Sequence, residues 1–201
     1  MISAVLLAAG KSERMGKFKQ LLPIGGKTFV ETCVDNLLAS RADEVIVVTG
    51  YNQAAVSEAL AGRRVRIVNN PDFESGMASS IKRGVDEVAV AARAFIIALA
   101  DQPLIGPDVL NQIISQYEDS ASLILIPTYL GRRGHPILID SALKGEVLSM
   151  DPHIGLRQIT HKYEHQTRYL EVSSSSVLTD FDLPEDLNLL PKRGVAEEGD
   201  Q

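Results

Sequence analysis

The chain has 201 residues, a formal net charge of -6, 45% apolar residues and 23% charged residues. That length holds one large domain or two small ones, with enough apolar material for a real core. The acidic balance argues against nucleic acid as a partner, the single cysteine, Cys33, excludes an internal disulfide, and no apolar run is long enough for a membrane span.

In chain order, Ile2–Ala8 is a continuous apolar run, the pattern of a strand buried on both faces. No basic region precedes it, so it reads as core rather than as a signal peptide, and with one cysteine a reducing cytoplasm is expected. A basic, glycine-containing loop follows. Thr28–Ala39 then places Phe29, Val30, Cys33, Val34, Leu37 and Leu38 at helical spacing. Strands are predicted at 44–50, 65–70, 94–101, 122–127, 135–140 and 167–172, the last alternating like an edge strand. Helices are predicted at 52–61, 77–91, 107–118, 141–149 and 155–162, with a short one starting at Pro184. Residues 191–201 read as a disordered tail behind one domain spanning 1–190. Strands alternating with helices predict a Rossmann-like three-layer αβα sandwich around a mostly parallel sheet.

Such sheets bind ligands beyond the carboxyl ends of their strands. The basic loop follows the first strand, and Asp101 follows the strand ending at Ala100, so both fall on one rim. Ala8, Ala9 and Gly10 are small enough for backbone N–H groups to approach phosphate oxygens. Arg14 can fork to two such oxygens, and Lys19 can act as a mobile point charge. By composition alone, a solvated basic loop is the better explanation of the segment. The dinucleotide fingerprint G-x-G-x-x-G does not match "AAGKSERMG", and the Walker pattern fails because Leu21 stands where its first glycine belongs. Gly26-Lys27-Thr28 is therefore read as a turn entering a helix.

The loop resembles the nucleotide-binding signature of nucleotidyltransferases. The resemblance is closest to the molybdenum-cofactor cytidylyltransferases and their MobA-like NTP transferase relatives. Leu7-Ala8-Ala9-Gly10, Ser12, Arg14-Met15-Gly16 and Lys19 fall at that signature's spacing, followed by Leu21-Leu22-Pro23. "NPDFESGMASS", "LADQP" (99–103), "GRRGHP" (131–136) and "TDFDLPEDL" (179–187) are similar to further family segments, with Leu183 replacing a threonine. The family's G-D-x-G-A-R box is blurred into "MDPHIGLR", which leaves the roles of Asp151 and Arg157 open.

The resemblance implies CMP transfer from CTP to the terminal phosphate of molybdopterin, with Mg²⁺ as cofactor and pyrophosphate leaving. It implies catalytic roles for Arg14, Lys19 and Asp101, and Mg²⁺ held by Asp101 and Asp182. Leu7, Ala8, Ala9 and Gly10 would bind the triphosphate, and Asn70, Ser75, Gly76, Met77 and Ser80 would lie near base and ribose. Arg133 and His135 would face the acceptor. Ala9 stands where guanylyl-transferring relatives tend to carry glycine, which leans toward CTP. A molybdenum hydroxylase apoenzyme is a further partner of this reading.

The residues leave alternatives open. Asp101 and Asp182 could be helix caps, and Gly131–Gly134 could be a bare turn. Another nucleotidyltransferase specificity, such as GTP use or a sugar- or alcohol-phosphate acceptor, shares the loop and Asp101. A non-catalytic cofactor-loading protein is the reading from another class. "HKYEH" (161–165) is formally H-x-x-E-H, but a strand-like segment begins two residues later, so it is read as a helix end with solvated histidines.

Overall fold

The computed structural model describes residues 1–12 and 15–190. Arg14 and the tail at 191–201 lie outside the described residues. Among those described, one sheet holds β1 (Ile2–Ala8), β4 (Glu44–Thr49), β5 (Arg66–Asn69), β6 (Ala94–Leu99), β7 (Ile124–Tyr129), β8 (Arg132–Arg133), β9 (Ile137–Asp140) and β10 (Thr167–Glu171). Their order is β10-β7-β9-β6-β1-β4-β5, with β8 beside β7. A separate hairpin joins β2 (Pro23–Ile24) to β3 (Lys27–Thr28). Its turn is Gly25-Gly26, both at positive φ (57° and 91°), where a side chain would be strained.

β1 lies inside the sheet, between β6 and β4, because every one of its residues can be buried. Period-two alternation sends Ile2, Ala4, Leu6 and Ala8 to one face and Val5 and Leu7 to the other. The first face packs on α1 (Phe29–Ala39), α2 (Gln53–Ala59) and α4 (Pro107–Glu118). The second packs on α3 (Met77–Asp86), α5 (Lys144–Ser149) and α6 (Leu156–Lys162). This is the expected three-layer αβα sandwich. No helix among the described residues is long and apolar enough to cross a membrane.

β1 pairs in parallel with β4 and β6, but β9 runs antiparallel between β6 and β7. Alternating strand and helix signals do not reveal that reversal. It matters because β9 begins where β6 ends, so its leading residues arrive at the ligand rim.

Local boundaries follow hydrogen bonding. Thr28 caps α1 through a reciprocal box: its hydroxyl accepts from Glu31 N (3.3 Å), and Glu31 accepts from Thr28 N (2.7 Å). α3 stops at Asp86, short of the predicted 91. There the Ala89 amide donates to the Glu44 carboxylate (3.1 Å) instead of continuing the helix, and Val88 turns into the core. Residues 141–143 and 184–189 form 3₁₀ turns where regular helix was expected.

Candidate functional site

The loop after β1 is held by side chains rather than by regular structure. Lys19 N donates to Ser12 Oγ (3.1 Å), Ser12 Oγ donates to Gln20 Oε1 (2.9 Å), and Gln20 Nε2 donates to the Gly10 carbonyl (3.0 Å). Ser12 takes φ = 60° to close this ring. Gln20 is almost fully buried yet polar, and its job is to tie the loop's two ends. A methyl group added to Gly10 would meet only Gln20 Nε2, at 4.0 Å, and would otherwise point into open space. The backbone there is bare toward a hollow of ≈ 530 Å³, which Lys11, Ser12, Lys19, Glu74 and Asp182 also line.

A connecting hollow of ≈ 420 Å³ is lined by Leu7, Ala9, Gly10, Gly76, Met77, Ser80, Asp101 and His135, among others. Thus the strand ends of β1 and β6, the start of α3 and the lead into β9 converge as the rim argument requires. Ala8 points the other way, into the core.

Charge is concentrated at one point. Lys19 Nζ donates to Asp101 Oδ2 (2.6 Å) and to Asp182 Oδ1 (2.8 Å). Burial alone would lower the Lys19 pKa, but attraction and hydrogen bonding to the two carboxylates outweigh it and raise it. Asp101 Oδ1 is buried with no hydrogen-bond partner among the described residues.

The 179–182 segment reaches this point through its anchor. In extended chain, Asp180 and Asp182 face the hollow while Phe181 faces inward, fully buried, edge-to-face on Phe29 at 5.1 Å between centroids. The Phe181 amide donates to the Asp101 carbonyl (3.1 Å), fastening the segment to the end of β6. Asp182 does not cap the final turn. Asp186 does, accepting from the Asp182 and Leu183 amides (2.8 and 2.7 Å). Gly106 caps α4, so Asp101 is not a cap either.

Asp180 is a site residue the sequence reading missed. Burial raises its pKa, Gln102 Nε2 at 2.5 Å opposes that, and neighbouring Asp101 adds to the rise. The two-residue spacing to Asp182 was the available signal. His135 is pushed down by burial, against the pull of Asp180 and Asp101, which keeps its imidazole neutral at pH 7.

Asn70 and Ser75 are not brought into these hollows. Asn70 is 3% exposed, and its amide is spent within its own turn, donating to Ser79 Oγ (2.9 Å) and Ser80 Oγ (3.0 Å) and accepting from Asp72 N (3.0 Å). Ser75 sits in the 3₁₀ turn 73–75. Phe73 and Glu74 from that turn line the site instead, and Glu74 pairs with Lys11.

Met77 and His135 also border a second cavity of ≈ 770 Å³, which Arg133, Arg157 and His161 share. Arg133 rests on the Tyr169 ring (4.6 Å) and pairs with Glu164 (3.0 Å). Helix α6 ends at Lys162, so Glu164 and His165 fall in the following 3₁₀ turn (164–166) and not on the helix of His161, and among the described residues no group of three His, Cys, Asp or Glu is placed to hold a metal.

Residues 4–167 match the family model described as MobA-like NTP transferase domain. The chain is 29% identical over 186 residues to the molybdenum cofactor cytidylyltransferase of Escherichia coli, covering 92% of this chain and 93% of that one. It is 35% identical over 154 residues to nicotine blue oxidoreductase of Paenarthrobacter nicotinovorans (74% and 75%). Among solved structures, Rv0371c of Mycobacterium tuberculosis superposes with a TM-score of 0.83 at 28% identity, covering 94% of this chain and 96% of that one. A complex of that protein with manganese gives 0.80, covering 94% and 97%. A match over most of the chain, on the same fold and with the loop and carboxylates at one rim, is decisive: the chain belongs to the MobA-like NTP transferase domain family and is a nucleotidyltransferase.

Proposed function

We propose that the protein transfers CMP from CTP to the terminal phosphate of molybdopterin, releasing pyrophosphate. The observation that carries this reading is the convergence of Lys19, Asp101 and Asp182 beside the bare backbone of Gly10.

Nucleotidyl transfer brings two anions together, so charge must be neutralised where they meet. Asp101 and Asp182 offer hard oxygen ligands close enough to share one cation, as their common grip on Lys19 attests, and Asp101 keeps a buried oxygen without a partner among the described residues. The donor set fits Mg²⁺, which Asp101 and Asp182 would hold and which would supply positive charge to offset that of the triphosphate. The relative solved with manganese is consistent with a divalent ion.

The chain's own groups supply the rest. Backbone N–H groups around Ala9 and Gly10 hold the triphosphate close. Lys19, with Arg14, gives its charge to the departing pyrophosphate. Leu7, Gly76, Met77 and Ser80 border the nucleoside, and Ala8 and Asn70 shape the backbone behind them. His135, neutral, and Arg133 receive the acceptor phosphate, which is already ionised near pH 7 and needs no strong base. A molybdenum hydroxylase apoenzyme is the proposed recipient of the product, and the cytoplasm the proposed location.

Pyrophosphate release with each of the four NTPs, Mg²⁺ and molybdopterin tests the reading. Release with CTP that requires molybdopterin supports it; release with another base, or none with any, overturns the CTP assignment or the transfer itself.

A further inference from the structure

The second cavity is chemically unlike the nucleotide hollows. In a chain with 26 acidic residues, no carboxylate lines it among the described residues. Two guanidinium groups, Arg133 and Arg157, and three imidazoles, His135, His153 and His161, do. Arg133 and His135 come from β8 and the lead into β9, whereas His153, Arg157 and His161 come from the loop before α6 and from α6 itself. Arg157 makes no ion pair with a described residue. The floor is apolar, from Ile81, Ile126 and Ile137, and Met77 and Ile154 are exposed at 60% and 52%.

Its volume of ≈ 770 Å³ exceeds what one phosphate group needs. An apolar floor with cations on two separate segments suits a flat organic body carrying anionic or electron-rich groups at two places. We infer that Arg157, His153 and His161 form a specificity arm, which holds a second electron-rich group of the acceptor while Arg133 and His135 hold its phosphate. Arg157, His153 and His161 line neither nucleotide hollow. The inference rests on the nucleotidyl-transfer reading for the identity of the acceptor, but the cavity can be probed without it.

The first arm of the test is steady-state kinetics with molybdopterin. Arg157→Glu raises the acceptor KM about tenfold or more, the scale of one lost charge-assisted hydrogen bond, and leaves CTP·Mg²⁺ affinity within twofold, which also shows that the variant folds. His161→Ala moves KM the same way by less. An unchanged acceptor KM in both variants overturns the inference while the transfer reading stands. The second arm uses 6-carboxypterin, a fluorescent planar anion, as a direct probe. It binds the wild-type protein, binds at least tenfold more weakly to Arg157→Glu, and is not displaced by saturating CTP·Mg²⁺. No binding at millimolar probe, equal binding to the variant, or displacement by CTP·Mg²⁺ overturns the inference even if molybdopterin supports no turnover.

Discussion

The nucleotide hollows and the second cavity share Met77 and His135, yet they solve opposite electrostatic problems. The first brings Lys11 and Lys19 together with Glu74, Asp101, Asp180 and Asp182 among the described residues, and Lys19 bonds to Asp101 and Asp182. On the proposed function, Asp101 and Asp182 would hold a cation that accompanies the anionic triphosphate. The second has no carboxylate among its described residues, and on the inference above Arg133 and Arg157 hold the acceptor's anionic groups. On these two proposals, substrates of the same sign are sorted by whether they carry their own countercharge. Neutral His135 at the boundary adds no charge to either side.

Breaking one side should leave the other intact. The largest expected effect is Asp101→Asn, which removes a cation ligand and lowers kcat in pyrophosphate release by about 10³-fold. 6-Carboxypterin binding should be unchanged; if it falls equally, the cavities are not independent. Next is Phe181→Ala, which empties a fully buried aromatic site under the nucleotide hollow and costs about 3–5 kcal/mol in urea unfolding. Because Phe181 anchors Asp180 and Asp182, the folded fraction should also lose turnover more than acceptor-probe binding.

Gly134→Ala acts on the other side. Its added methyl would strike the Val177 carbonyl, between Arg133 and His135, and should cost about 1–3 kcal/mol while weakening the acceptor probe more than CTP. The smallest effect is in pH dependence. With the His135 pKa lowered by burial, the unfolded chain binds more protons than the native state below the ordinary value of 6.5. Stability is therefore full above that value and falls as pH drops from it through the folded pKa. Denaturant unfolding at pH 7.5 and 5.5 should show a shallower loss in His135→Asn.

Much of this arrangement was legible in the residues. Ile2–Ala8 is apolar at every position but Ser3, which only an interior strand tolerates, and the strand is flanked by β6 and β4. Lys19 and Asp101 are 82 positions apart, and their meeting followed from strands of one direction ending at one rim. Asn70 was harder to read, because a polar residue at a strand end looks the same whether it meets a ligand or closes its own turn. Gln20 and Asp180 escaped notice because their partners, Gly10 and Gln102, are set by loop closure and not by periodicity.

Local patterning by itself determined the layers, the rim and the chemical kind of the loop, because burial and strand period are properties of neighbouring residues. Only the tertiary structure decided that β9 runs backward, which carries His135 and Arg133 to the rim and opens a cavity against α6. It alone also decided that Phe181, by filling a core site beside Phe29, turns Asp180 and Asp182 toward the hollow at the rim. Strand direction and anchor burial depend on which surfaces meet after the chain has closed, and that information is spread across the whole fold.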